Sequence, residues 1–545
     1  MSFRERIGEL LGRHGVDADL LVVPPDPTMG EYAVPCFTIA KGANPVAFAK
    51  DLAGELSAPF LESVTALGPY VNFRIKPTEI VTASFRDPEF PANGKTVVID
   101  LSSPNIAKPF GIGHLRSTVI GAALQRVYAF AGWKTVGINH LGDWGTQFGK
   151  LIAAYKRWPA DLAQDPIKKL LGLYVRFHKE AETDPALEDA GREEFRKLEA
   201  GDEENTKLWR LFRDLSLVEF NKLYGKMGVA FDSTAGESFY NDKMEPVIEE
   251  LKAKGLLELD DGAHIVRFPP EYGIETPAML LKSDGATTYI TRDLAAILYR
   301  KKTYGFDRIL YEIGAEQNLH LKQLFACVRL MGYSWWEECY HVAHGLYRFD
   351  TGKMSTRKGQ VIFIEDVFDR AVEQCLATVK EKNPNLSNPD SVAEAVGYGA
   401  IIFNDLKNDR NRDIVFDWDE ILDFEGESGP YLQYAHARLR SILRKSAETP
   451  QENAALLTAP EEVAIARRLL MFDEVIRQVV QTNKPHTLAR HLLDLAADLN
   501  AWYQNHRVIQ DDKALERARL ALVLKVADRL KLGLDLLGIK APDEM

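Results

Sequence analysis

The sequence predicts an α/β fold: a doubly wound parallel sheet, preceded by a small α+β unit and followed by an all-α helix bundle. Three observations predict it. The apolar run Thr96-Val97-Val98-Ile99-Asp100-Leu101 passes through a glycine- and histidine-bearing turn into a helical pattern at Leu115, Val119, Ile120, Ala123, Val127 and Phe130. A second apolar run, Thr135-Val136-Gly137-Ile138-Asn139, follows at the spacing of a right-handed β–α–β crossover. From about residue 366 the periodicity is helical almost throughout, with no internal repeat or low-complexity tract.

Each element follows in order. Residues 1–90 make the α+β unit. Its last segment, Ala66 to Ile75, alternates as a strand with one wet face. A loop holding Pro88, Pro91 and Gly94 breaks to the sheet-bearing region, 91–365. There, strand 95–101, helix 114–131 and strand 135–139 are expected, and a charged helical insertion spans about 158–228. The sheet is expected to resume with Tyr289-Ile290-Thr291, then 308–313, then 340–344. A helical connecting region, 366–425, leads to the bundle, 426–545. Leu488, Leu492, Leu495, Ala496, Leu499 and Trp502 trace one buried stripe there; Leu515, Leu522, Val526, Leu530 and Leu534 trace another.

Composition bounds the function. The chain has 545 residues, enough for several domains, and its apolar and charged fractions are those of a soluble globular protein. Four cysteines (Cys36, Cys327, Cys339, Cys375) form no CxxC pair, which fits a reducing cytoplasmic setting. Cys339-x-His341-x-x-His344 has no evident fourth ligand, so no metal site is expected. No signal peptide opens the chain and no apolar run nears the ~20 residues that cross a bilayer, so no membrane partner is expected. A net charge of −12 weighs against nucleic acid, but local basic groups occur: Arg300-Lys301-Lys302, and Arg438, Arg440, Arg444 with Lys445. Each alone reads as a solvated helix face.

Residues 102–116, from Ser102 to Arg116, carry the most chemistry. A strand-to-helix turn offers unpaired backbone N–H groups and a helix dipole to a phosphate. Gly111 and Gly113 permit close approach, and His114 and Lys108 are candidate donors to an anionic transition state. Far downstream, Gly352-Lys353-Met354-Ser355-Thr356-Arg357-Lys358-Gly359 makes a basic, glycine-bounded loop fit to close on phosphates. Glu237, read bare, is a helix-capping or surface acid, and Asp293 an N-cap. Tyr70 reads as a half-buried strand residue.

The turn and the loop together resemble the His-x-Gly-His and Lys-Met-Ser-Lys-Ser elements of class I aminoacyl-tRNA synthetases. Four more segments narrow the resemblance to the arginyl-tRNA synthetase family: 103–110 (SPNIAKPF), 142–149 (GDWGTQFG), 289–293 (YITRD) and 428–438 (SGPYLQYAHAR). It covers essentially the whole chain. It implies a Rossmann-like catalytic domain, a tRNA-contacting N-terminal domain, a stem-contacting connector and an anticodon-binding helix bundle. It implies an arginine–tRNA ligase that uses ATP with Mg²⁺ as substrate complex, L-arginine and tRNA(Arg), acting as a cytoplasmic monomer. Lys108, His114, Lys353, Ser355 and Lys358 would be catalytic; Gly111, Gly113, His114, Lys353 and Met354 would bind ATP. Ser103, Asn105, Glu237, Tyr289, Asp293 and Gln317 would bind arginine, with the two acids on the guanidinium, a group that carboxylates match in bidentate geometry. Tyr70, Asn72, Tyr434, Arg438 and Tyr503 would contact tRNA, with Trp502 and Met545 as further candidates; any of the aromatics is alternatively core.

Two positions depart from the pattern. Gly111 replaces the first histidine of the turn, and the loop's second lysine is displaced to Lys358. Lys108 is expected to compensate. A non-catalytic RNA-binding relative and a class I ligase for another amino acid remain alternatives.

Overall fold

The computed structural model describes residues 2–40, 42, 44–348 and 362–545. Contacts divide the chain into two compact units: Met1–Glu89 with Leu439–Val475 and Leu493–Arg529, and Phe90–Arg438 with Ile476–Leu492 and Leu530–Met545. The C-terminal helices are thus shared between the units.

In the first unit, strands Tyr32–Pro35, Leu61–Leu67 and Tyr70–Ile75 form an antiparallel sheet with Tyr70–Ile75 in the centre. The expected single strand over 66–75 is instead a hairpin. Gly68, with φ +54°, turns the chain at Gly68-Pro69, so Leu67 pairs with Tyr70. Glu31 is buried beneath the sheet, where it accepts from the Ile75 amide and pairs with Arg467 of the helix Pro460–Leu470.

The second unit holds a parallel sheet of four strands in the order Cys339–His341, Arg308–Tyr311, Thr96–Asp100, Lys134–Ile138. Val97, Val98, Ile99, Ile309 and Leu310 are wholly buried, as a parallel sheet covered on both faces requires. The order places the switch point between Thr96–Asp100 and Arg308–Tyr311, whose carboxyl ends open one crevice.

Tyr289-Ile290-Thr291 is not a strand. It begins the helix Tyr289–Tyr304 behind the extended residue Thr288, with Ile290, Leu294 and Ile297 buried at helical spacing. Three β-prone residues in a row mislead where tertiary burial decides. The sequence reading also omitted a small antiparallel sheet of Glu258–Asp260, Ala263–Val266 and Ala278–Leu281. Arg300 is not part of a solvated basic face: it is 1% exposed and paired with Asp100 at 2.8 Å.

The stretch about 158–228 contains the helices Pro166–Ala181, Ala186–Glu199 and Glu203–Met227. The last of them braces the turn after the first parallel strand. The Tyr224 hydroxyl lies 2.8 Å from Ser102 Oγ and accepts from Asn139 Nδ2 at 3.0 Å, and Ser216 Oγ accepts from the Ala107 amide at 2.8 Å. That turn is strained: Ser102, Ser103 and Ala107 have φ of 71°, 48° and 58°. The bracing hydrogen bonds hold a backbone that its residues would not adopt unaided.

Candidate active site

The crevice is a cavity of about 750 Å³, within the size of a small-molecule site. Ser103, Asn105, Gly113, His114, Glu237, Tyr289, Asp293 and Gln317 all line it. The expected roles of Lys353, Met354, Ser355 and Lys358 fall on 349–361, outside the described residues.

One wall is the N-terminus of the helix Ile112–Phe130. Its N-cap, Gly111, has no side chain to cap with. His114 takes that part: its Nδ1 accepts from the Gly111 amide at 3.2 Å. This assigns the proton to Nε2. Burial, together with the Lys108 charge, pushes the imidazole down to about 4. His114 is therefore a neutral Nε2–H donor at physiological pH. The Gly111 amide, expected to face a phosphate, is committed to His114, and Gly111 is not part of the cavity wall. Gly113 is exposed on that wall.

Lys108 also lies outside the wall. Its ammonium donates to Gln147 at 2.9 Å and sits 5.3 Å over the Tyr174 ring. Its charge still reaches His114.

The acids Glu237 and Asp293 line the same cavity. Asp293 lies one helical turn after Tyr289, on the same face of Tyr289–Tyr304. Burial raises its carboxyl, but the His320 hydrogen bond at 2.6 Å and the charges of His320, His140 and Arg300 outweigh burial and hold it below the usual range. Glu237 follows Gly236, whose backbone lies against Leu141 and Asp143. Asp143 accepts from the Ser238 amide at 2.8 Å and hydroxyl at 2.7 Å, which pins the turn. Burial, helped by Asp293 and Asp143 and opposed by Arg292, pushes Glu237 up to about 7. Two neighbouring carboxylates thus differ: one stays ionised and the other titrates near neutrality.

A methyl at Gly236 would sit 2.6 Å from Leu141 O and 2.8 Å from Asp143 Oδ1, so Gly236→Ala must displace the turn. The expected result is a raised KM for the ligand of Glu237 and a stability loss of about 1–3 kcal/mol, read by steady-state kinetics and Tm. Gly142 meets the same restriction, because its Cβ would lie 2.1 Å from Asn105 Oδ1.

Ser103 Oγ donates to Asp100 at 2.8 Å and accepts from the His140 amide at 3.2 Å, which ties it to the strand end. Tyr289 is 66% exposed at the cavity rim, and Gln317 ends the short helix Ala315–Gln317. Sequence reasoning missed Arg292, His140 and His320 as lining residues. Arg292 lies inside the 289–293 segment, and His140 and His320 lie within three residues of Gly142 and Gln317. Cys339, His341 and His344 do not converge: His341 Nε2 meets Ile313 O at 2.9 Å and His344 Nδ1 meets Glu312 at 3.0 Å. Among the described residues no group of three or more His, Cys, Asp or Glu is arranged to hold a metal ion.

The tRNA candidates fall differently. Tyr70 is 39% exposed and makes an edge contact with exposed Phe37, ring centres 5.5 Å apart. Asn72 is 5% exposed in mid-sheet, so its amide is not offered to a base edge. Tyr434 and Arg438 share one exposed face of Gly429–Lys445, and Tyr503 is half-buried. Trp502 is core, and Met545 packs on the cluster of Cys375, Ala393 and Val396. Among the described residues no helix is long and apolar enough to cross a membrane.

Known proteins share this whole arrangement. Residues 81–418 match the catalytic domain of class I tRNA synthetases (R), 432–545 the DALR anticodon binding domain, and 2–75 the arginyl tRNA synthetase N-terminal domain. An arginine–tRNA ligase of Clostridium kluyveri is 47% identical, with 96% of each chain covered. One of Clostridium botulinum is 46% identical, again with 96% of each covered. The arginyl-tRNA synthetase structure of Thermus thermophilus superposes with TM-score 0.88 at 27% identity, covering 100% of this chain and 99% of that one. The Plasmodium falciparum one gives 0.83 at 25%, also over 100% and 99%. Matched along its length by these family models and relatives, this chain belongs to the arginyl-tRNA synthetases, class I aminoacyl-tRNA ligases.

Proposed function

We propose that the 750 Å³ cavity is where L-arginine and ATP meet and where arginyl-adenylate forms before transfer to tRNA. The observation that carries this reading is one cavity lined by two carboxylates and by a helix N-terminus with a neutral histidine. Glu237 and Asp293 would take the substrate guanidinium, with Tyr289 along its stem. Ser103, Asn105 and Gln317 would meet its polar groups. The arginine carboxylate then attacks the α-phosphate in line and pyrophosphate leaves, with His114 Nε2–H and Gly113 facing the phosphates. The Lys108 charge adds to the field there. Lys353, Met354, Ser355 and Lys358 are proposed to complete the phosphate site. Mg²⁺ would arrive with the triphosphate and neutralise its charge.

The tRNA faces proposed are the Tyr70–Phe37 pair, the Tyr434–Arg438 face and Tyr503. Aromatic faces stack on bases and arginines meet phosphates, which suits a chain whose net charge is negative. A cytoplasmic monomer fits this reading.

The test is ATP–pyrophosphate exchange with and without tRNA(Arg). Exchange that depends on L-arginine is expected. Its absence under both conditions would overturn the assignment.

A further inference from the structure

Arg292 has no part in the reading above, yet it lies in the substrate wall. Its Nη1 sits 3.4 Å from Glu237 Oε2, and both side chains are largely buried, at 10% and 18% exposure. Its Nε is buried with no hydrogen-bond partner. A buried guanidinium with unused donors is costly, so its place against Glu237 needs an account.

We infer that Arg292 is a positioning residue for arginine recognition: its guanidinium holds the Glu237 carboxylate in the pose that the substrate's guanidinium then meets. This rests on the proposal that Glu237 binds the substrate side chain.

The chemistry favours the pairing. A carboxylate awaiting a guanidinium is held best by a guanidinium, which presents the same planar fork. Arg292 has a second acid within electrostatic reach, Glu199 at the end of Ala186–Glu199, so its charge keeps a counterpart when Glu237 also meets the substrate.

The groups facing Glu237 are Arg292 and Asp293 from Tyr289–Tyr304 and Asp143 after the strand Lys134–Ile138; His140 and His320 stand behind Asp293. Arg292 is the cation among Glu237's direct neighbours. Two acids and burial favour the protonated carboxyl; Arg292 alone opposes them. A cationic ligand needs Glu237 ionised. Arginine affinity therefore rises with pH through about 7 and levels above it.

The experiment measures the arginine KM from pH 6 to 9 in wild type, Arg292→Met, Arg292→Lys and Glu237→Gln. Folding is checked by circular dichroism. Removing a charge this close shifts a carboxylate by about 1–3 pH units. Arg292→Met is expected to move the midpoint of the KM–pH curve up by about one unit and raise KM about tenfold at pH 7. At pH 9 the deficit shrinks, and kcat changes little. Arg292→Lys restores the midpoint. Glu237→Gln abolishes the pH dependence and raises KM throughout. An Arg292→Met curve with an unmoved midpoint overturns the inference while the Glu237 assignment stands. A Glu237→Gln variant with wild-type arginine KM overturns the assignment, and the inference with it.

Discussion

Asp293→Asn is expected to lower arginine-dependent kcat/KM by about 10²–10³, mostly through KM. Breaking one side of a buried charge pair costs about 3–5 kcal/mol, and 1.4 kcal/mol is a factor of ten. Asn keeps the volume of Asp, so the helix Tyr289–Tyr304 and its packing persist, and the loss is electrostatic. His320 also changes: its pKa, held up against burial by Asp293, falls once the carboxylate goes. A sharper readout uses citrulline as a competitor in the exchange assay. It keeps the shape of arginine without the charge, so the Asn variant should discriminate arginine from citrulline less than wild type does. Arginine kinetics equal to wild type would remove Asp293 from the pocket.

The parts of this molecule that a sequence displays are those whose cause is local. Thr96–Asp100 is visible because a strand buried on both faces must be a continuous apolar run. The His114 turn is visible because strand, glycines and helix follow one another. The hairpin at Gly68 was hidden because alternation continues on either side of the turn, and a left-handed glycine leaves no mark beyond itself. Glu258–Asp260 was hidden because it is short and wet, with Leu259 72% exposed. Tyr289–Thr291 misled because its fate is set by what Ile290 and Leu294 pack against.

The site divides in the same way. Ser103, Asn105 and His114 sit in one stretch of motif. The pairings that set its electrostatics do not: Glu237 meets Arg292, and Asp293 meets His320, across tens of residues. The family resemblance names the acids but not their partners, and the partners decide which acid is ionised. The helical insertion shows the same limit. The sequence marks it only as charged and helical, yet its Ser216 and Tyr224 hold the strained turn from behind.

His114→Ala is the second large effect. Loss of one donor to a developing negative charge costs about 10²–10³ in rate, and His114, which lines the cavity, is the donor proposed for the phosphates. The loss should fall on kcat of the exchange reaction and leave the arginine KM nearly unchanged, because the guanidinium is proposed to meet the two acids and not His114. The pH profile adds a test that size alone does not supply. An imidazole that titrates near 4 contributes no limb to kcat between pH 6 and 9, so the variant's profile should parallel that of wild type at a lower level. A limb near 6.5 that disappears with the side chain would mean that His114 works as an acid–base catalyst. The same substitution takes from the Gly111 amide its acceptor at the start of Ile112–Phe130, a loss of about 1 kcal/mol that lowers Tm by about one degree in a unit of this size. His114→Asn, whose side-chain carbonyl can accept from that amide, should recover part of the Tm and little of the rate. Recovery of both together would mean that His114 serves the helix alone.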